Sequence, residues 1–321
     1  MAFGKTGRAG ILSGAALAAA LLLSGCAGKP LIEREIVRAV FFAHDGGKYQ
    51  AVLLLQDQQS EETNAYRTAD GEGRTAPQAL ADAAQGLDGT IFYGAMDTVA
   101  VPPDTGWEEL WTLTELIGDS AQPSPEISLF MLDARSADRL IETAGELYDE
   151  MQQCGQRYGV HCGMEAVRAQ SDVAALPCWQ GSGYGFAVLP KGGRPLRYTE
   201  PLRAQLTAAL CGQADRLDVL MADAGISCQA GLAVSFRATA QKLQVTLRLS
   251  DAKLAALSQN QPDDQKALQQ ALQTALQEAF AQLTADVQQS GTDPFRFLFW
   301  SQCLWGPEAR ALPAELEVEF A

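Results

Sequence analysis

The sequence predicts an α+β protein: two mixed α/β domains with largely antiparallel sheets, the C-terminal one packed by a long helix. Three stretches carry that expectation. Residues 36–43 and 49–55 are apolar, β-branched and aromatic runs around Asp45-Gly46-Gly47, a hairpin signal in which glycine supplies the positive φ of a tight turn. Leu243, Val245, Leu247 and Leu249 alternate with Gln244, Thr246 and Arg248, the pattern of a strand with one wet face. Leu268, Leu272, Leu276, Phe280, Leu283 and Val287 recur every three or four residues behind Pro262 and the capping candidates Asp263 and Asp264. They predict a helix of about 24 residues, about 36 Å long, enough to cross a sheet.

Ahead of these elements stands Leu23-Ser24-Gly25-Cys26, behind an apolar run over 11–23 and a basic start with Lys5 and Arg8. A positive n-region, an apolar h-region of about 13 residues and small residues before a processing point are the parts of an export signal. The apolar run is too short for a stable membrane-spanning helix, and no other stretch approaches that length. The cysteine at its end resembles a lipobox, in which the thiol of a bacterial lipoprotein precursor is joined to diacylglycerol before cleavage just ahead of it. That resemblance implies that residues 1–25 are a lipoprotein signal peptide. Cys26 is then the lipidated residue, and the rest of the chain hangs from the outer face of a membrane. The alternative is an ordinary secretory signal with a chance cysteine.

Removing residues 1–25 leaves 296 of the 321 residues, room for about two domains. The expected division is 26–172 and 173–321, with a sub-boundary near 225. The chain carries 24 Lys and Arg against 39 Asp and Glu; the signal holds two of the basic residues and no acidic one, so the remainder has 22 against 39, a net charge of −17. That balance argues against nucleic acid, which needs clustered Lys and Arg, and against adhesion to anionic lipid through a basic patch. The acidity reads as a means of keeping an exported protein soluble, with the lipid anchor holding it down.

In chain order, residues 27–31 read as a tether with Gly28 and Pro30. His44, at the hairpin turn, reads as a strand-end residue, since no second His or activated nucleophile stands near it. Residues 57–74 are a polar loop with a short strand at 65–69. Thr75 is an N-cap candidate and Pro77 falls in a first helical turn, where its missing N–H costs nothing. Leu80, Ala83, Ala84 and Leu87 share a face of that helix, and Gly86 and Gly89 end it. Residues 90–101 are strand-like, interrupted by Gly94 and stopped by Pro102-Pro103. A helix over 107–117 sets Trp107 and Trp111 four apart, on one face, as core residues. A strand over 127–132 and an acidic amphipathic helix over 138–153 follow. Residues 155–178 lack periodicity and read as an inter-domain segment. Residues 184–189 and 196–198 read as strands around Lys191-Gly192-Gly193, and Thr199, Glu200 and Pro201 open a helix to Leu210. Residues 231–236 precede the alternating strand, and Leu316, Val318 and Phe320 predict a last strand returning to the same sheet.

Besides Cys26 there are Cys154, Cys162, Cys178, Cys211, Cys228 and Cys303. An even number in an exported protein points to disulfides, though six cysteines allow 15 connectivities. A short loop bridged by Cys154 and Cys162, flanked by Gly155, Gly159 and Gly163, is the favoured pair, while some of the six can simply be buried and reduced. A metal site of Cys154, His161, Cys162 and Cys178 lacks the short paired ligand spacings of zinc sites. Neither histidine belongs to HExxH, Gly181-Ser182-Gly183 is too short for a nucleophile elbow, and Lys191-Gly192-Gly193 lacks the phosphate-loop spacing. No catalytic, cofactor or metal residue is therefore assigned, and the prior shifts from enzyme to binding or structural roles.

Taken in order, the segments resemble the Ger(x)C family, the lipoprotein C subunits of spore germinant receptors. The resemblance rests on Ile32-Glu33-Arg34-Glu35-Ile36 soon after the lipid cysteine, with Gly46-Gly47-Lys48-Tyr49 beyond it. It continues through Tyr66, Gly73 and Ala79-Leu80 to Ile91-Phe92-Tyr93-Gly94, and then to Phe186-Ala187-Val188. It ends with Ala285-Asp286-Val287, Gly291, Trp305 and Leu316-Glu317-Val318-Glu319. Departures are Ala27 where members commonly have Trp, Ala95 in place of His, a Gly118-to-Pro125 segment where members are charged, and the six further cysteines. The resemblance implies a non-enzymatic, lipid-anchored subunit on the outer face of the inner spore membrane. Its partners would be integral membrane receptor subunits that respond to nutrients; no cofactor is implied, and only Cys26 carries over as a functional residue. The competing readings are a solute-binding or cell-envelope lipoprotein and, third, a secreted enzyme.

Overall fold

The glycine turn forms as its residues direct. β1 (Arg34–Asp45) passes through Gly46 and Gly47, at φ 56° and 84°, into the antiparallel β2 (Lys48–Gln56). This computed structural model describes residues 34–58, 60, 65–121, 127–133, 139–160, 162–169, 172–181, 183–239, 241–257, 264–310 and 313–321. The loop after β2 holds a full strand, β3 (Tyr66–Gly73), paired antiparallel with β2. α1 (Ala76–Gln85) starts where expected, the Thr75 side chain accepting from the Gln78 N–H. β4 (Thr90–Phe92), β5 (Thr98–Val101), α2 (Trp107–Ala121), β6 (Ser128–Leu132), α3 (Leu140–Tyr158) and α4 (Met164–Arg168) follow. Then come β7 (Val173–Trp179), β8 (Tyr184–Pro190), β9 (Leu196–Tyr198) and α5 (Pro201–Leu210).

These strands form one sheet in the order β3-β2-β1-β5-β6-β7-β8-β9, with β4 beside β1. Its two wings are antiparallel, while β1, β5, β6 and β7 run parallel at the centre, so the sheet is mixed. Alternate residues of each strand supply opposite faces. Val40, Phe42, Leu53 and Leu55 pack with α1 and α2 through Ala79, Leu110 and Ile117. Ala39, Phe41, Val52 and Leu54 pack with α3 through Leu147, Tyr148 and Met151.

The second sheet is β10 (Arg216–Met221), β11 (Ile226–Ala238), β12 (Leu243–Ala256) and β13 (Ala314–Phe320), antiparallel except for the parallel β12–β13 pair. In β12, Leu243, Val245, Leu247 and Leu249 are fully buried and the residues between them face outward, the alternation expected of it. α6 (Gln265–Ser290), capped by Asp264 and ended by Gly291 at φ 70°, lies against β11, β12, β13 and α5. Its 26 residues span about 39 Å. α7 (Phe297–Trp305) follows it before β13. The buried cluster on the α3 face of the first sheet runs without a break into Leu243, Leu272 and Leu283, so the two sheets share one core.

The α+β class holds, with a long helix on the C-terminal sheet. The expected division at 172/173 does not coincide with the change of sheet: β7 pairs with β6 through Met131–Cys178 and Leu132–Trp179, and the second sheet begins only at Arg216. Residues 155–178 are not a linker; they carry the end of α3, α4 and β7, and β7 is buried along its whole length. A strand buried on both faces shows no alternation, which is why its sequence has no readable period.

Candidate functional site

Cys26, the residue expected to be acylated, lies outside the described residues, as do the signal segment and His161. Among the described residues, polar side chains gather at both ends of β1.

At its N-terminal half, the register with β2 slips between Val37 and Ala39, a β-bulge that sets Arg38 apart from its neighbours. Its guanidinium donates to Asp97 Oδ2 at 2.7 Å and to the Tyr148 hydroxyl at 2.8 Å, and Tyr148 donates to the same Asp97 oxygen at 2.9 Å. Gln152, one helical turn after Tyr148 on α3, donates to Asp97 Oδ1 at 3.1 Å and to Thr98 Oγ1 at 2.9 Å. The Asp97 backbone closes the group, its N–H donating to the Arg38 carbonyl at 3.1 Å. Burial alone lowers the Arg38 pKa, but the Asp97 hydrogen bond and the Tyr148 and Asp97 charges outweigh it, so the net shift is upward. Burial, then the Asp97 charge, pushes the Tyr148 phenol well up. Arg38 therefore stays charged and Tyr148 protonated, an arrangement that fastens α3 to β1 and β5.

Gln152 also borders a cleft of about 600 Å³ between α3 and the start of β6, with Ile127, Ser128, Phe130, Met151 and Gly163 on its wall. Apolar walls with two or three convergent polar groups are the make-up of a small-molecule pocket.

At the C-terminal end of β1, His44 Nδ1 lies 2.8 and 2.9 Å from the Asp104 carboxylate oxygens, and Nε2 lies 3.3 Å from Glu109 Oε1. Tyr49 donates to Glu109, and its ring meets the His44 ring edge-on at 4.1 Å. His44 is at the strand end, as its sequence position implied, but held between two carboxylates that sequence reading did not connect with it.

The expected Cys154–Cys162 bridge is not formed; all six described cysteines are free. Cys154 belongs to the core on the α3 face and Cys162 to the core on the opposite face, where its thiol donates to the Ala175 carbonyl at 3.0 Å. Burial pushes the Cys154 and Cys211 thiols up to about 12 and those of Cys178 and Cys228 up to about 11, and raises Cys162 as well. Such thiols are poor nucleophiles and poor metal ligands. No group of three or more His, Cys, Asp or Glu among the described residues could hold a metal ion.

α7 is the remaining feature. Asp293 accepts hydrogen bonds from the Phe297 and Leu298 N–H groups at 2.7 and 2.8 Å, starting the helix. Its inner face is held by Trp300 stacked on Phe236, centroids 5.8 Å apart, and by Phe297 against Phe280. Phe299, Leu304 and Trp305 are at least half exposed, and Cys303 is exposed as well. The nine-residue stretch without a charge was a signal for this surface in the sequence, as was the lone Arg38 inside an apolar run for the first cluster. Asp97, Tyr148 and Gln152 had no such signal.

No helix among the described residues is long and apolar enough to cross a membrane. No family model matches the chain, and no curated protein matches it. Among solved structures, the crystal structure of the GerBC protein aligns with 88% of this chain and 96% of that chain, at 10% identity and a TM-score of 0.45.

Proposed function

We propose that this chain is a Ger(x)C-type lipoprotein, a non-enzymatic subunit of a nutrient germinant receptor, held by an acylated Cys26 on the outer face of the inner spore membrane and working through contacts with integral membrane subunits. The observation that carries the reading is the lipobox Leu23-Ser24-Gly25-Cys26, followed in family order by the motifs that resemble Ger(x)C. In this chain those motifs fall on regular elements and turns: Ile36 and Gly46-Gly47 on β1 and its turn, Ala79-Leu80 on α1 ahead of Ile91-Phe92 on β4, Phe186-Ala187-Val188 on β8, and Leu316-Glu317-Val318-Glu319 on β13. Deleting the protein should abolish nutrient-triggered germination while spores form normally. Cys26→Ala should release it from the membrane fraction; a variant that stays membrane-bound and fully active would overturn the anchoring.

The cleft beside Gln152 supports a second reading, an extracytoplasmic lipoprotein that captures a small molecule. Neighbouring genes separate the two. A multi-spanning transporter-like protein beside this one fits the receptor subunit, and an ATP-driven permease fits solute capture.

A further inference from the structure

We infer that the outer edge of β13 is a docking site for an extended segment of another protein in which Lys or Arg alternates with apolar residues, added to the second sheet as one more strand. The inference concerns the described residues alone and does not depend on the acylation of Cys26.

The two edges of this sheet, β10 and β13, are finished differently. At β10 the buried Gln205 side chain of α5 donates to the Asp218 carbonyl at 2.7 Å and accepts from the Asp218 N–H at 2.8 Å. That edge is closed as a neighbouring strand would close it. At β13, Leu243 N–H donates to the Pro313 carbonyl at 2.9 Å and Ala321 N–H to the Leu249 carbonyl at 2.8 Å, so the odd-numbered residues turn their backbone toward β12. Successive residues of a strand point their N–H and C=O groups to opposite sides, so those of Leu316, Val318 and Phe320 point away from β12. Among the described residues, the one contact made to these outward groups is from Gln277 Nε2 to the Leu316 carbonyl, at a long 3.4 Å. Such a row of open N–H and C=O groups is a template for a further strand.

Charge selects the occupant. Glu315, Glu317 and Glu319 stand at every second position on the wet face of β13, while Leu316 and Val318 are buried in the core on the other face. Each carboxylate is engaged from β12 through Oε2: Lys242 donates to Glu315, Gln244 to Glu317, and Arg248 to Glu319 at 3.2 Å. Among the described residues, Oε1 of each is left for a partner on the open side. A second copy of this chain laid antiparallel along the edge would set glutamates opposite glutamates, and like charges facing each other destabilise a strand pair. A strand with Lys or Arg at alternate positions meets the glutamates with opposite charge. Its intervening apolar residues then continue the row of Leu316, Val318 and the half-buried Phe320.

The chain from residue 26 onward, carrying Cys26→Ser, is mixed with a millimolar end-capped peptide of alternating Lys and Val, and hydrogen exchange is read residue by residue. In the free chain the amides of Leu316, Val318 and Phe320 should exchange fast and those of Glu317 and Glu319 slowly. The Lys-Val peptide should slow the three fast amides severalfold. The same peptide N-methylated throughout should leave them fast, and so should a peptide of alternating Glu and Val. The combined substitutions Glu315→Lys, Glu317→Lys and Glu319→Lys should reverse the preference, with the Glu-Val peptide now protecting. Protection by neither peptide, equal protection by both, or protection by the N-methylated peptide overturns the inference. So do amides already slow in a free chain that sediments as a dimer, which would give the edge to a second copy. The measurement needs no spore, so the receptor assignment stands or falls separately on the deletion phenotype.

Discussion

Arg38 and Tyr148 meet on a single oxygen: the guanidinium lies 2.7 Å and the phenol 2.9 Å from Asp97 Oδ2, and the two are 2.8 Å from each other. Arg38 sits at the bulge in β1 and reaches Tyr148, a residue of the core on the α3 face. Three elements distant in sequence, β1, the residues opening β5, and α3, are joined there.

Asp97→Ala leaves the Arg38 charge without its carboxylate and should cost about 1–3 kcal/mol of stability in urea unfolding. Tyr148→Phe, which removes one hydroxyl and keeps the ring, should cost about 1 kcal/mol. A double-mutant cycle between the two should give a clear coupling energy, and additive effects would mean the shared oxygen contributes nothing.

Alkaline solution should weaken the fold. Burial raises the thiols of Cys154, Cys178, Cys211 and Cys228 from 9.0 to about 11 or 12, and the phenols of Tyr148, Tyr184 and Tyr198 above 10.0. The unfolded chain sheds these protons from about pH 9 while the folded chain keeps them, so the native state binds more protons and stability falls as pH rises beyond that point. Urea midpoints under reductant should be insensitive to these groups below pH 8 and decline steadily between pH 9 and 11.

The thiols themselves can be counted. Protein denatured without reductant should take alkylating label at all six of Cys154, Cys162, Cys178, Cys211, Cys228 and Cys303, and prior reduction should add none. A pair of labels gained on reduction at Cys154 and Cys162 would restore the bridge that their placement on opposite faces argues against.

Gly71 and Gly46 should respond differently to alanine. A Cβ on Gly71 would stand 2.1 Å from the Ala83 backbone nitrogen and 2.7 Å from the Ala79 carbonyl, because α1 lies directly on β3. Gly71→Ala should therefore cost at least about 1–3 kcal/mol. Gly46 has open space around it, so Gly46→Ala should cost only the strain of its φ of 56°, about 1–2 kcal/mol. Thermal unfolding of the two variants checks the order.

Elements with a period or a punctuating residue were legible in the sequence. Gly46-Gly47 located the first hairpin, Thr75 and Pro77 the start of α1, the Leu alternation β12, and the Leu and Phe spacing α6. β7 was missed because a strand covered on both faces has no polar beat, and the favoured cysteine pair failed because eight residues of separation does not reveal that a sheet lies between two side chains. The Asp97 cluster was invisible, since its members come from sites 50 to 110 residues apart and none is unusual for its element.

By itself the sequence determined the acidic balance and, from patterns that depend on neighbours within about twenty residues, the α+β class and most element positions. Only the tertiary structure decided that β7, β8 and β9 extend the first sheet, that both sheets share one core, that the six described thiols stand free, and that Phe299, Leu304 and Trp305 are left at least half exposed. Those outcomes depend on which distant surfaces meet, and a chain records its own local pattern without recording which partner will cover it.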